Sequence, residues 1–173
     1  MLRVIQSMSE LPFDQLMAVY RESNMRSARR MWGEDDLERA LSMVERMAYE
    51  DLQCGFFTIR DARLCVWEVV DQCVSALRLE PWRDGWLLAA LETSPDHRNQ
   101  GYARSLLRSV QGYLAERGPV RLYSHIHIRN TPSIRVHEQC GFRKISDTAA
   151  LLDGTITTQM GTYLLTCNKE YFQ

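Results

Sequence analysis

Apolar and polar positions alternate over Leu2–Gln6, which predicts a short first strand. The spacing then lengthens. Phe13, Leu16, Met17 and Tyr20 form one stripe and predict a helix over Pro12–Ser23. Leu37, Leu41, Val44 and Met47–Ala48 predict a second helix over Glu34–Asp51, with Glu34, Asp35 and Asp36 at the positive end of its dipole. From residue 63 the period returns to two. Arg63–Val70 and Cys73–Glu80 read as strands joined by Asp71-Gln72, which is a hairpin pattern. Pro81–Gly85 is a turn, and Trp86–Thr93 is a strand whose near-continuous apolar run predicts burial on both faces. Gly101–Arg117 is a helix with Ala103, Leu106, Leu107, Val110 and Leu114 on one stripe. Val120–Ile128 is a strand and Thr131–Gln139 a short helix with Pro132 in its first turn. Phe142–Ile145 and Thr162–Thr166 are the last strands, separated by a connection over 146–161 that carries no clear pattern. This order predicts an α/β chain with one mixed sheet and helices on its faces. The strands 86–93 and 120–128 should run parallel, because a helix joins them by a crossover.

Composition narrows the function classes. A length of 173 residues fits a single domain spanning 1–173. With 21 basic against 22 acidic residues the net charge is −1, so no broad positive field marks a nucleic-acid binder. The densest basic segment, Arg26-Ser27-Ala28-Arg29-Arg30, sits beside Glu34–Asp36 and reads as solvated surface. Five cysteines occur without a CxxC spacing, which fits reduced thiols better than disulfides or zinc. The N-terminus carries no leader pattern, and no apolar run approaches the ~18–20 residues of a bilayer span. The expectation is a cytoplasmic protein with neither membrane nor nucleic acid as partner.

The segment from Thr93 to Leu107 carries the chemistry. A buried strand enters a turn and a helix follows at once. The first helical turn offers unpaired N–H groups and a partial positive charge, which together make an anion site. Gly101 admits an anion close to the backbone, Ala103 adds little bulk, and Arg98 adds a positive charge at the mouth. The bland alternative is a glycine that only eases a helix start. Arg98-Asn99-Gln100-Gly101-Tyr102-Ala103 resembles the Gln/Arg-x-x-Gly-x-Gly/Ala signature of the GNAT superfamily of N-acetyltransferases. Asn130-Thr131-Pro132-Ser133, continuing to Gly141-Phe142, resembles the family's Asn-x-x-Ser/Ala helix that ends in Gly-Phe. The likeness covers roughly residues 55–166.

The resemblance implies a central mixed sheet of about six to seven strands, splayed between the fourth and fifth. It implies acetyl-CoA as co-substrate and no metal. The pyrophosphate would be held by backbone amides of Arg98, Asn99, Gln100, Gly101, Tyr102 and Ala103. The pantetheine arm would pair with Leu91 and Thr93, and an N–H near Leu91 would polarise the thioester carbonyl. Asn130 would contact the coenzyme arm, with Ser133 close by. His137 stands where many family members have a tyrosine, so it is a candidate acid for the departing thiolate or, alternatively, a packing residue.

Direct transfer to an amine needs a base or water relay. Glu92, on the strand beside the thioester, is one candidate, since apolar neighbours raise a carboxyl pKa. His125 and His127, on one face of their strand, are others. They form a metal pair only if a third ligand exists, and none stands at a suggestive spacing. Cys140 reads as structural. Two readings remain open: an N-acetyltransferase for a small-molecule amine or peptide acceptor, and an acyl-CoA-binding or sensing domain without turnover. A dinucleotide enzyme lacks its Gly-x-Gly-x-x-Gly fingerprint here. Dimers are common in the family, so a homodimer is a further expectation. The acceptor is not named by any motif; in the family the regions equivalent to 21–36 and 146–161 set it.

Overall fold

A computed structural model describes residues 1–168. The period-two segments all join one seven-stranded sheet. Its strands are β1 (Leu2–Ile5), β2 (Arg63–Val69), β3 (Gln72–Trp82), β4 (Gly85–Thr93), β5 (Val120–His127), β6 (Arg143–Ser146) and β9 (Met160–Cys167). They lie in the order β1-β2-β3-β4-β5-β9-β6, with a separate two-stranded ribbon of β7 (Ala149–Ala150) and β8 (Ile156–Thr157). Only β4 and β5 pair in parallel, as the crossover helix requires; the other pairs are antiparallel.

Alternation along β2 and β3 sorts the core onto two faces. Leu64, Val66 and Ala76 meet Leu16, Met17 and Val19 of α1 (Phe13–Trp32) and Leu52 of α2 (Leu37–Cys54). Cys65, Leu77 and Leu79 meet Leu106, Leu107, Val110 and Leu114 of α3 (Tyr102–Ala115), with Leu122 and Ile126 of β5. A last helix, α4 (Thr131–Gln139), lies beside α3 and buries Gln111, whose amide donates to Cys140 O at 2.9 Å.

Two features of β4 shape the cleft. The first is a bulge. Ala76 faces Glu92 and Arg78 faces Ala89, so Leu77 alone opposes Ala90 and Leu91. Ala90 takes a left-handed backbone, φ 51°, and its carbonyl accepts from Tyr20 Oη of α1 at 3.1 Å. Tyr20→Phe leaves that carbonyl without its donor and is expected to cost about 1–2 kcal/mol, read as a lower denaturation midpoint at unchanged m value. The second feature is the splay. Pairing of β4 with β5 runs from Gly85↔Arg121 to Leu88↔Ser124 and stops, although the strands continue to Thr93 and His127. Gly85 closes the narrow end: a Cβ there would lie 2.1 Å from Arg121 O.

Four sequence expectations need correction. The helix predicted to end at Ser23 runs to Trp32, so the segment Arg26–Arg30 lies within it; its arginines are exposed, as expected of a solvated face, while Ala28 is buried. The second helix begins at Leu37, with Asp36 as its left-handed cap, so Glu34 and Asp35 lie in the preceding turn. The last five residues of β4 are half-buried, because that part of the strand lines a cleft; its apolar run does not mean burial on both faces. The patternless 146–161 connection holds the β7–β8 ribbon, whose two-residue strands are too short to show a period.

Candidate active site

Where β4 and β5 part, a cleft of about 850 Å³ opens across the sheet. β4 supplies Leu91, Glu92 and Thr93, and β5 supplies His125 and His127. The turn before α3 supplies Arg98, Asn99, Gly101, Tyr102 and Ala103, and α4 supplies Ser133 and His137, with Asn130 at its cap. Of the candidate catalytic and coenzyme-binding residues, only Gln100 is not part of the lining; its side chain turns back to donate to Asp96 O at 3.3 Å.

The turn owes its shape to two left-handed residues, Asn99 at φ 60° and Gly101 at φ 84°. Asparagine and glycine are the residues that take this conformation most readily. Within α3 the first backbone bond is Ser105 N–H to Gly101 O at 2.9 Å. The six amides from Asn99 to Arg104 make no hydrogen bond to the described residues. Five of these six residues line the cleft at a helix start, a place that suits a diphosphate. A guanidinium also reaches this turn, from an unexpected residue: Arg104 Nη2 lies 3.5 Å from where a Gly101 Cβ would stand. Arg98, expected to carry that charge, is instead ion-paired with Glu22 of α1, and its Nε donates to Thr93 O at 3.3 Å.

On α4, Asn130 Oδ1 accepts from Ser133 N at 3.3 Å and caps the helix. His137 is 1% exposed and its Nδ1 lies 2.8 Å from Ser133 O. A carbonyl only accepts, so Nδ1 bears the proton and Nε2 of the neutral ring holds a lone pair. Nε2 has no partner among the described residues. Burial pulls the His137 pKa below its usual value, partly offset by the bond to Ser133. An acid role through Nε2 needs the imidazolium, which this site disfavours.

The family model for the Acetyltransferase (GNAT) family matches residues 18–142. The chain belongs to the GNAT family. A search of curated proteins gave no match. Among solved structures, the PaiA N-acetyltransferase of Thermoplasma acidophilum in complex with coenzyme A superposes with a TM-score of 0.61 at 13% identity, over 95% of this chain and 98% of its own. The ribosomal-protein-S18-alanine N-acetyltransferase of Escherichia coli gives 0.59 at 17% identity, over 97% and 95%. Aminoglycoside 6'-acetyltransferase type Ii gives 0.63 at 15%, over 96% and 97%. At these identities the likeness is one of fold.

The other wall of the GNAT cleft collects charge that sequence reasoning did not assemble. Glu22 and Arg26 of α1 line it and pair with each other at 2.8 Å. They lie one helical turn apart on a helix predicted to end between them, which hid their common face. Glu92 projects beside them. Burial, and to a lesser extent Glu22, raises its pKa above the usual glutamate value; the nearby Ser23 hydroxyl and the charges of Arg26 and Arg98 oppose that shift. His125 stands edge-on to Trp82 with ring centroids 5.0 Å apart, and its Nε2 has no partner among the described residues. Burial and then Arg83 lower its pKa. His127 Nδ1 accepts from Arg129 N at 3.1 Å, so its proton sits on Nε2. Met160 of β9 also lines the cleft, whereas residues 146–159 do not.

Asp84 belongs elsewhere: it accepts from Tyr123 Oη at 2.7 Å and pairs with Arg121. Cys140 is 7% exposed and burial raises its thiol pKa, as befits a packing residue rather than a nucleophile. Among the described residues no three His, Cys, Asp or Glu side chains cluster as metal ligands. Nor is any described helix long and apolar enough to cross a membrane.

Proposed function

We propose that the chain is an acetyl-CoA-dependent N-acetyltransferase that moves the acetyl group directly to a primary amine. The observation that carries this reading is the run of amides from Asn99 to Arg104 without hydrogen-bond partners among the described residues, five of whose six residues line a cleft that continues between β4 and β5. The amides and Arg104 hold the diphosphate. Beyond Leu88 the β4 edge has no β5 partner, so the pantetheine arm takes that place as an added strand beside Leu91 and Thr93. The thioester then sits in the splay, with the Leu91 N–H toward its carbonyl oxygen.

The acceptor enters from the α1 side. Glu92 takes one proton from the ammonium, the amine nitrogen bonds to the carbonyl carbon, and the C–S bond breaks. The nitrogen gives its second proton to water in the open cleft, which passes it to the departing thiolate, and Glu92 returns its proton to solvent. His137 contributes packing, the bond that stiffens α4 and a lone pair, not an acid. His125 is the second candidate for base, since burial keeps its ring neutral at pH 7.

The structural neighbours supply the acceptor classes to try, since one is an aminoglycoside 6'-acetyltransferase and another a ribosomal-protein-S18-alanine N-acetyltransferase. Free-thiol release from acetyl-CoA is measured against a panel of small aliphatic amines, aminoglycosides and N-terminal peptides. At least one amine is expected to raise release at least about tenfold above hydrolysis, within the ordinary range of acid–base catalysis. Tight coenzyme A binding with no release from any amine would favour the acyl-CoA-sensing reading instead.

A further inference from the structure

Glu22 is shared. Its carboxylate pairs with Arg26 on its own helix at 2.8 Å and also with Arg98, which stands at the start of the coenzyme turn. All three line the cleft together with Glu92. The four charges sum to zero, and one carboxylate thus links the turn that faces the coenzyme to the helix that faces the acceptor.

A diphosphate changes this balance. It brings two negative charges to a site already furnished with six open amides and with Arg104. Arg98 and Glu22 are each 42% exposed, so their pair is screened and weak, within the ~0–1 kcal/mol of surface ion pairs. A doubly charged diphosphate draws a guanidinium from such a screened, singly charged carboxylate, since Arg–phosphate bonds are charge-assisted and can be bidentate. With Arg98 turned to the coenzyme, the acceptor side retains Glu22, Glu92 and Arg26, a net charge of −1 in place of zero.

Resting on the coenzyme site proposed above, we propose that Glu22 is a specificity residue for a cationic amine: it holds Arg98 in the free protein and is released to the acceptor when the coenzyme takes Arg98. The acceptor class for that site is an amine bearing positive charge at entry. The same movement takes a positive charge away from Glu92, and Arg98 is one of the charges that hold its pKa down; a stronger base results.

A double-variant cycle on coenzyme A binding tests the exchange without knowledge of the acceptor. Calorimetry at low salt compares wild type, Glu22→Gln, Arg98→Ala and the double variant, all with side chains exposed enough to leave the fold intact, checked by thermal melts. Glu22→Gln is expected to bind coenzyme A about two- to five-fold more tightly, the equivalent of a surface ion pair released. Arg98→Ala is expected to bind more weakly, and in that background Glu22→Gln is expected to have no effect. In turnover, Glu22→Gln is expected to raise KM for the amine that supports thiol release while leaving kcat within about twofold. Equal effects of Glu22→Gln in both backgrounds indicate through-space repulsion alone and overturn the exchange, as does an unchanged KM. Failure of the wild-type chain to bind coenzyme A overturns the coenzyme site itself, a result distinct from either.

Discussion

Gly101→Glu is expected to weaken coenzyme A binding at least about 100-fold while the chain stays folded. The residue caps α3 at φ 84°, and a side chain there is strained by roughly 1 kcal/mol. The space itself is open, since the nearest atom to an added Cβ is Arg104 Nη2 at 3.5 Å, the far end of a flexible side chain. Strain of that size lowers Tm by only about 2–4 °C in a chain of this length. The larger effect falls on the ligand. A carboxylate planted about 5 Å from a phosphate opposes it by about 3 kcal/mol per charge pair at an effective dielectric near 20, which is about 100-fold in affinity. It also competes for Arg104 and for the open amides. Calorimetric titration beside a thermal melt separates the two effects. Unchanged affinity in a folded variant would remove the diphosphate from this turn.

Glu92→Gln is expected to lower kcat about 100-fold or more, the span seen when a general base is lost, with coenzyme A affinity unchanged within about twofold. The wild-type rate should rise with pH along a limb lying above the ordinary glutamate range, because burial raises this carboxyl pKa and a base must be ionised to act. The amide variant should lack that limb. Stability gives an independent control. The folded carboxyl titrates above its unfolded value, so the native state binds the proton more tightly. Its stabilising contribution is present below the unfolded pKa and is lost as pH rises through the folded one. Removing the charge therefore leaves Tm at neutral pH no lower than wild type. A limb retained in Glu92→Gln and lost in His125→Asn would assign proton removal to His125, whose pKa is displaced in the opposite direction.

The sequence disclosed those parts of the site that depend on local pattern. The strand–turn–helix around Gly101 is written in nearest-neighbour chemistry, from the apolar run ending at Thr93 to the stripe Leu106–Leu114, and it stands where the pattern put it. The parallel pairing of β4 and β5 followed from chain order alone. What stayed hidden depends on distant contacts. The length of α1 past Ser23 is a case in point: its second half buries Asn24 and Ala28, polar and small residues that leave no strong apolar stripe. With that half unread, Glu22 and Arg26 had no common face and the charged wall of the cleft was invisible. Arg104 was missed for a related reason, since a side chain that folds back over its own helix start is a rotamer choice and not a spacing. Conversely, Arg98 lies where expected, but a partner on α1 engages its charge, and nothing near it in sequence foretold that. The protonation of His137 likewise rests on one carbonyl a helical turn away.

The bond from Tyr20 to the Ala90 carbonyl has a consequence for how such an enzyme diversifies. In the reading proposed above, the helix that would present Glu22 and Arg26 to the acceptor also holds the bulge beside which the thioester would sit. On that reading, residues only two and six positions beyond Tyr20 would choose what is bound, while Tyr20 itself would set how well it reacts. New selectivity is therefore cheapest when it arises by exchanging individual side chains on a stationary rod. Any change that rotates or shifts that rod will degrade turnover of old and new substrates alike.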